Sequence, residues 1–314
     1  GSLSSRGEVF QGTDGKLYVR LNWEKRYITL AAVSTVLGLA FQLHDPEELL
    51  GRGKHPGITC ALIPTNTKGV DIGQRHDPLG VPFYNCPTIG EDVVVSVDAI
   101  IGGAAGAGHG WKMLMECLAA GRGISLPGTS TGGAQFVTRV AGAYAAIRKQ
   151  FGLSIGRFEG IEEPLARIGG YTYLMDAARR YTCGALDSGN KPPVITAIAK
   201  LNFTELYRQV INDGMDILGG AAISRGPRNL LGGGYVGTPI SITVEGANIL
   251  TRTMIIFGQG AIRCHPYAFD EIDAATKGDL KAFDKSLFAH AGHVLRNQTR
   301  SVLLSMTRGY LTVP

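Results

Sequence analysis

One carboxylate stands out by its surroundings. In ITVEGANILTRT, Ile242 to Thr253, Glu245 lies among small and branched apolar residues, and the nearest acids along the chain are Asp216 and Asp270. Two chemistries fit such a residue. As part of the first turn of a helix, Glu245 would be solvated and favoured by the positive end of the helix dipole. As a general base it would be kept dry, and burial raises a carboxylate pKa toward the range suited to taking a weakly acidic proton. Residue types alone leave both readings open.

Other motifs carry less. GTSTG (128–132) has G-x-S-x-G spacing, with Ser130 as nucleophile. A nucleophile elbow needs a strand before it and a helix after it, and here both flanks read as helical. GGGYVG (232–237) has dinucleotide-fingerprint spacing, but no strand precedes it and no obvious helix follows, so it reads as a loop. His109 stands alone after a Gly/Ala run, as a capping or surface group. AIRKQFG (146–152) ends a helix on basic residues and a glycine, as helices commonly end. In the functional alternative, Arg148 meets a phosphate and Phe151 lies on a ring. DILGGAA (216–222) places Gly219 and Gly220 either at a C-cap or where a backbone approaches a ligand.

The elements that must position these residues fall into two halves. Residues 7–101 read as β: KLYVRL, KRYITLAAVSTVLGLAFQL, GITCALIP and EDVVVSVDAII are rich in Val, Ile, Thr and Leu, and Gly, Pro, Asp and Asn clusters separate them. With no helical pattern between the runs, an antiparallel barrel or sandwich is expected rather than βαβ units. GGAAGAGHG (102–110) reads as a flexible joint. Helical patterns then follow to residue 151, over 160–189 and over 192–220. The stretch 160–189 carries Leu165, Ile168, Tyr171, Tyr173, Leu174 and Ala178 near helical spacing. A fourth helix is expected within TPISITVEGANILTRTMIIFGQGAI, starting near Glu245, and one or two amphipathic helices over 268–306. The expected class is α+β, with a partial β domain at 1–105, a four-helix bundle at 106–267 and a helical extension at 268–314.

Composition narrows the function. The 314 residues are long enough for two cores. A net charge of +5 without any Lys/Arg block fits an anionic ligand and excludes a nucleic-acid footprint. Five scattered cysteines without a CxxC pair read as reduced thiols, not as a zinc site. No apolar run reaches the ~18–20 residues of a membrane span.

Taken together, KRYITLA, GITCALIP, GRGISLP, RKQFG, VITAIAK, ITVEGANILTR and IFGQGAIRCHPY occur in an order that resembles the acyl-CoA dehydrogenase family, most closely its bacterial long-chain type. The resemblance runs from about residue 7 to 267. It implies FAD as cofactor, an acyl-CoA as substrate, an electron-transfer flavoprotein as electron acceptor and a homodimer or higher homo-oligomer. It implies that Glu245 is the base that takes the α proton, with Gly246 beside the substrate and Arg122 near the acyl-CoA. Tyr27, Ile28 and Thr29 match the flavin-contacting strand. Arg148 and Phe151 match residues at the FAD pyrophosphate and adenine, Gly219 and Gly220 a loop that meets the same FAD, and Asn248 an FAD-contacting turn. Glu159, Asp216, Ala222 and Ala247 depart from the family pattern, and the two acids would put negative charge by a diphosphate. The family's N-terminal helical domain and the first part of its β domain have no counterpart, so a fragment is expected. Its location is expected to be cytoplasmic, or peripheral at the inner membrane. A reading from another class is a non-catalytic association module that binds no flavin.

Overall fold

The computed structural model describes residues 4–190 and 193–310. Six strands form one sheet: β1 (Arg6–Gln11), β2 (Leu17–Thr29), β3 (Val36–His44), β4 (Gly57–Pro64), β5 (Val70–Ile72) and β6 (Asn85–Ser96), in the order β4-β3-β1-β2-β6-β5. Period-two patterning explains the inward face. Val19, Leu21 and Trp23 of β2 alternate with exposed Arg20, Asn22 and Glu24, and Leu37, Leu39, Phe41 and Leu43 of β3 are buried on one side. Each such side chain contributes roughly 1.5–3 kcal/mol by leaving water.

The sheet refines the expectation in two ways. It is open, with β4 and β5 at its edges, rather than a closed barrel. It is also mixed: β1 pairs in parallel with β3, while the other pairs are antiparallel. The cause is the connection from β2 to β3. KRYITLAAVSTVLGLAFQL is not one run, because Leu30 turns left-handed at φ 61° and a 3-10 turn, Ala31–Val33, carries the chain past β1.

Beyond Ser96 the chain is largely helical. A short α1 (Gly103–Gly106) precedes α2 (Gly110–Ile147). The expected flexible joint is pinned here: the Gly108 N–H donates to Thr59 Oγ1 at 2.9 Å, and a Cβ on Gly108 would stand 2.4 Å from the Pro56 carbonyl oxygen. A two-residue hairpin follows, β7 (Lys149–Gln150) and β8 (Leu153–Ser154). Then come α3 (Glu159–Asp187), α4 (Pro193–Leu218), the short α5 (Gly220–Ile223) and α6 (Gly232–Thr243). The expected start of α4 at Pro192 lies outside the described residues. After α6 the chain turns and resumes as α7 (Asn248–Leu250), a π-helical stretch Thr251–Ala261, and α8 (Ile262–Cys264). Two further helices, α9 (Ala268–Lys277) and α10 (Leu280–Met306), complete the described chain.

The helical core gathers Val137, Ala141, Ile168, Met175, Phe203, Val210 and Ile211 from α2, α3 and α4. On α3 the buried residues are Ile168, Met175 and Thr182, a seam with a spacing of seven, while Tyr173 and Leu174 face outward at 79% and 54% exposure. Leu165, Tyr171 and Ala178 pack half-buried against the same core as expected, so only Tyr173 and Leu174 fall outside the apolar face. GTSTG lies inside α2 with Ser130 buried, so no strand-to-helix elbow presents that hydroxyl. GGGYVG, expected as a loop, opens α6 instead; the Asn229 side-chain carbonyl accepts the N–H groups of Leu231 and Gly232 there. No strand precedes it. Among the described residues no single helix is long and apolar enough to cross a membrane.

Candidate active site

Glu245 occupies the break between α6 and α7, not the first turn of a helix. Its φ is 54° and that of Gly246 is 88°, so two consecutive residues are left-handed. Gly246 adopts this conformation freely, whereas a glutamate pays about 1–2 kcal/mol for it. The helices on either side, Gly232–Thr243 and Asn248–Gly258, meet at a 43° bend.

The backbone of this break is tied down by three side chains. Arg122 of α2, buried, donates from Nε to the Glu245 carbonyl at 3.1 Å. Lys200 of α4 donates from Nζ to the carbonyls of Ile242 at 3.2 Å and Gly246 at 2.9 Å, and to Asn248 Oδ1 at 2.7 Å. Thr251 Oγ1 donates to the Gly246 carbonyl at 3.1 Å. The Asn248 amide is spent internally as well: Nδ2 donates to Thr204 Oγ1 at 2.9 Å and to Glu205 Oε1 at 2.8 Å. Both cations feel their burial. Desolvation pulls the Arg122 guanidinium down while the Glu245 carboxylate pulls it back. Desolvation also pushes Lys200 down to about 8, with Glu245 and Glu205 pulling up and Arg122 adding to the fall.

The Glu245 side chain itself is exposed, which corrects the expectation of a dry pocket formed by its sequence neighbours. Those neighbours do not close over it: Ala247 is exposed and Ile249 stands 75% exposed. Ile242 and Val244 before the turn and Leu250 after it are only half-buried.

The strand expected to meet a flavin is bulged. Lys25 pairs with Thr88 and Ile28 with Cys86, so Arg26 and Tyr27 oppose the single residue Pro87. Proline has no N–H for the ladder, and a bulge at that place re-aims the side chains of the longer strand. Tyr27 is 72% exposed, with the His76 ring tilted against it at 5.1 Å between centroids, while the His76 Nε2 donates to the Arg26 carbonyl. Ile28 is half-buried and Thr29 exposed. Across from Thr29, the buried Asn85 Oδ1 has no hydrogen-bond donor among the described residues.

Arg148 caps the end of α2, and its exposed side chain forms no ion pair with the described residues. Phe151, at the hairpin tip with φ 51°, is 93% exposed. Gly219 has φ 54° and ψ −126°, a conformation open essentially to glycine alone, and Gly219 and Gly220 are both exposed. An exposed cation, an exposed aromatic ring, a bare glycine backbone and an unpartnered buried acceptor are groups that a diphosphate-linked aromatic cofactor can use, so the chemistry of the residues present fits FAD.

The structure thus brings Arg122, Glu245, Gly246 and Asn248 into one network. The groups around Tyr27, Arg148 and Gly219 stand on separate elements, and among the described residues no hydrogen bond or ion pair links them to that network. Lys200 is the residue that sequence reasoning passed over. The available signal was a lysine at the end of the apolar run PVITAIAK, with no acid three or four residues away on either side.

An antiparallel-rich sheet followed by a helical bundle, with a glutamate in a pinned inter-helix turn, defines an α+β class of protein. Comparison with known proteins narrows it. Residues 108–257 match the C-terminal domain of acyl-CoA dehydrogenases, and residues 262–314 match the bacterial-type C-terminal domain of the same enzymes. The chain belongs to the acyl-CoA dehydrogenase family. It is similar to the short/branched chain specific acyl-CoA dehydrogenase of Bos taurus mitochondria, with 27% identity over 66% of this chain and 46% of that protein. A protein named HemX from Proteus mirabilis is 59% identical over 33% of this chain and 61% of its own length. The acyl-CoA dehydrogenase structure from Geobacillus kaustophilus superposes with a TM-score of 0.71 at 20% identity, covering 82% of this chain and 64% of that one. The chain spans about half the length of the curated relatives it matches.

Proposed function

We propose that this chain carries the base and part of the cofactor cradle of an FAD-dependent acyl-CoA dehydrogenase. The observation that supports this most directly is the Glu245–Gly246 turn, held at the junction of α2, α4 and α6 by Arg122 and Lys200. FAD, when bound, supplies the acceptor for a hydride. The Glu245 carboxylate takes the α proton of the thioester. The electron pair of that C–H bond forms the new double bond as the hydride departs from the β carbon, giving a trans-2-enoyl-CoA. The Glu245 backbone N–H, next to the glycine, donates to the thioester carbonyl and stabilises the charge that builds there. Arg148 would neutralise the diphosphate of a bound FAD and Phe151 would pack on its adenine. Gly219 and Gly220 would let backbone approach the same group, and Tyr27, Ile28 and Thr29 would line the flavin. Long-chain thioesters as substrate, a fatty-acid-degrading role, an electron-transfer flavoprotein as acceptor, a homodimer, and a cytoplasmic or inner-membrane-peripheral location complete the proposal; family resemblance supports the first four.

The test combines cofactor retention with proton exchange. The purified chain incubated with FAD and freed of excess should be yellow, and Glu245→Gln should retain flavin equally. Exchange of the α hydrogens of an acyl-CoA with deuterated water should fall by about 10²–10⁴ in that variant. Undiminished exchange removes Glu245 as the base. A chain that never retains flavin favours the non-catalytic association module.

A further inference from the structure

Lys200 is among the largest fully buried side chains of the molecule, at 0% exposure. An ammonium has three donors, and all three are engaged, on two backbone carbonyls and one amide oxygen. No carboxylate bonds it directly: the nearby Glu205 accepts from Asn248 instead. A cation buried against neutral acceptors is an expensive way to hold a bundle together, because a well-packed apolar side chain of similar volume is commonly as stable or more so. Its acceptors, however, are not scattered. Ile242 lies in the last turn of α6, where the carbonyls of a helix C-terminus favour a cation. Gly246 and Asn248 lie on the other side of Glu245. The three bonds therefore bracket the short segment 243–245 that ends on Glu245.

That residue is in a conformation it would not keep unaided. A left-handed glutamate persists where the surroundings over-determine it. Arg122 holds the Glu245 carbonyl from one side, and Lys200 holds the flanking carbonyls from the other. We propose that Lys200 is a positioning residue for Glu245, clamping the turn that carries it through the carbonyls of Ile242 and Gly246 and the amide of Asn248. The proposal rests on Glu245 being the base. The clamp touches neither substrate nor flavin and acts only through the backbone. The burden of burying it, visible in the lowered proton affinity of its ammonium, is the stability given up for a defined turn.

The test uses the whole chain and the variants Lys200→Met and Lys200→Gln. Amide hydrogen exchange is followed without flavin across the peptide 242–252 and across the interiors of α2 and α3. The clamp predicts that exchange in 242–252 rises by about tenfold, as the loss of one or two such bonds gives, while α2 and α3 stay within about twofold. In the FAD-loaded chain, kcat falls by about tenfold or more while KM for the acyl-CoA stays within about threefold. If Lys200→Met does not fold, Lys200→Gln, which keeps two donors, should show a smaller rise confined to the same peptide. Unchanged exchange in 242–252, or an equal rise throughout α2 and α3, overturns the clamp. Retained proton exchange in Glu245→Gln overturns the base assignment instead, and the hydrogen-exchange result separates the two.

Discussion

Asn248 offers the sharpest test, because resemblance places it at the flavin while its side chain is consumed inside the protein. Its Oδ1 accepts from Lys200 at 2.7 Å, and its Nδ2 donates to Thr204 and Glu205 at 2.9 and 2.8 Å. Asn248→Ala removes all three bonds. The bond to the buried ammonium is worth about 1.5–3 kcal/mol and the bond to the threonine hydroxyl about 0.5–1.5 kcal/mol. The bond to Glu205 is discounted heavily, since that side chain is 39% exposed. The sum is about 3 kcal/mol. At about 2 °C per kcal/mol for a unit of this size, the melting transition of the helical half should fall by about 6 °C without flavin. Asn248→Asp keeps an acceptor for Lys200 but sets a carboxylate against Glu205, so it should lose less. Differential scanning calorimetry on the flavin-free chain reads both. If Asn248→Ala melts within about 1 °C of the parent and yet releases flavin more readily, Asn248 is a cofactor ligand and the network argument fails.

Further predictions follow from the same contacts. Gly90→Ala would put a Cβ 2.1 Å from the Trp23 ring, and overpacking of this kind costs about 1–3 kcal/mol. The double variant Gly90→Ala/Trp23→Leu should be less destabilised than the sum of the two single changes in urea titrations. Arg148→Ala should leave the flavin-free melting temperature within about 1 °C, because its side chain is exposed and bonds nothing described, while FAD retention measured by equilibrium dialysis falls. Lys200 has its folded pKa pushed down to about 8 from 10.5. Between those values the unfolded chain holds a proton that the folded chain has released, so stability rises with pH across the window. Relative to Lys200→Met, urea midpoints of the parent should increase from pH 8 to pH 10 and stay level below pH 7.

Much of the fold was legible in the sequence because its signals are local. Alternation in LYVRLNW and LGLAFQL encodes which face of the sheet is buried, and the glycine-rich stretch 102–110 marks where strands give way to helices. What was not legible depends on partners distant in sequence. The parallel β1–β3 pair follows from a crossover at Leu30 that no period reveals. On α3, Tyr173 and Leu174 have the same apolar character as Met175, and only the neighbouring helices select which is buried. In the candidate site, the composition around Glu245 pointed to burial, but the residue stands exposed in a left-handed break between helices that composition does not reveal. Lys200 was passed over for a similar reason: its partners are backbone carbonyls more than forty residues away, and backbone groups leave no mark on composition.

The left-handed glutamate sets stability and chemistry against each other at one position. Replacing Glu245 by glycine would relieve about 1–2 kcal/mol of backbone strain, and among the described residues the carboxylate forms no hydrogen bond that stabilises the turn. A library screened only for solubility or thermal tolerance would therefore weigh the relieved strain against the buried charge of Arg122 and Lys200 that the carboxylate offsets, and would place no value on the proton acceptor. Among natural chains, the persistence of an acid at so unfavourable a backbone angle would record continued selection for turnover, and its replacement by glycine would mark a lineage in which this turn has been released from chemistry.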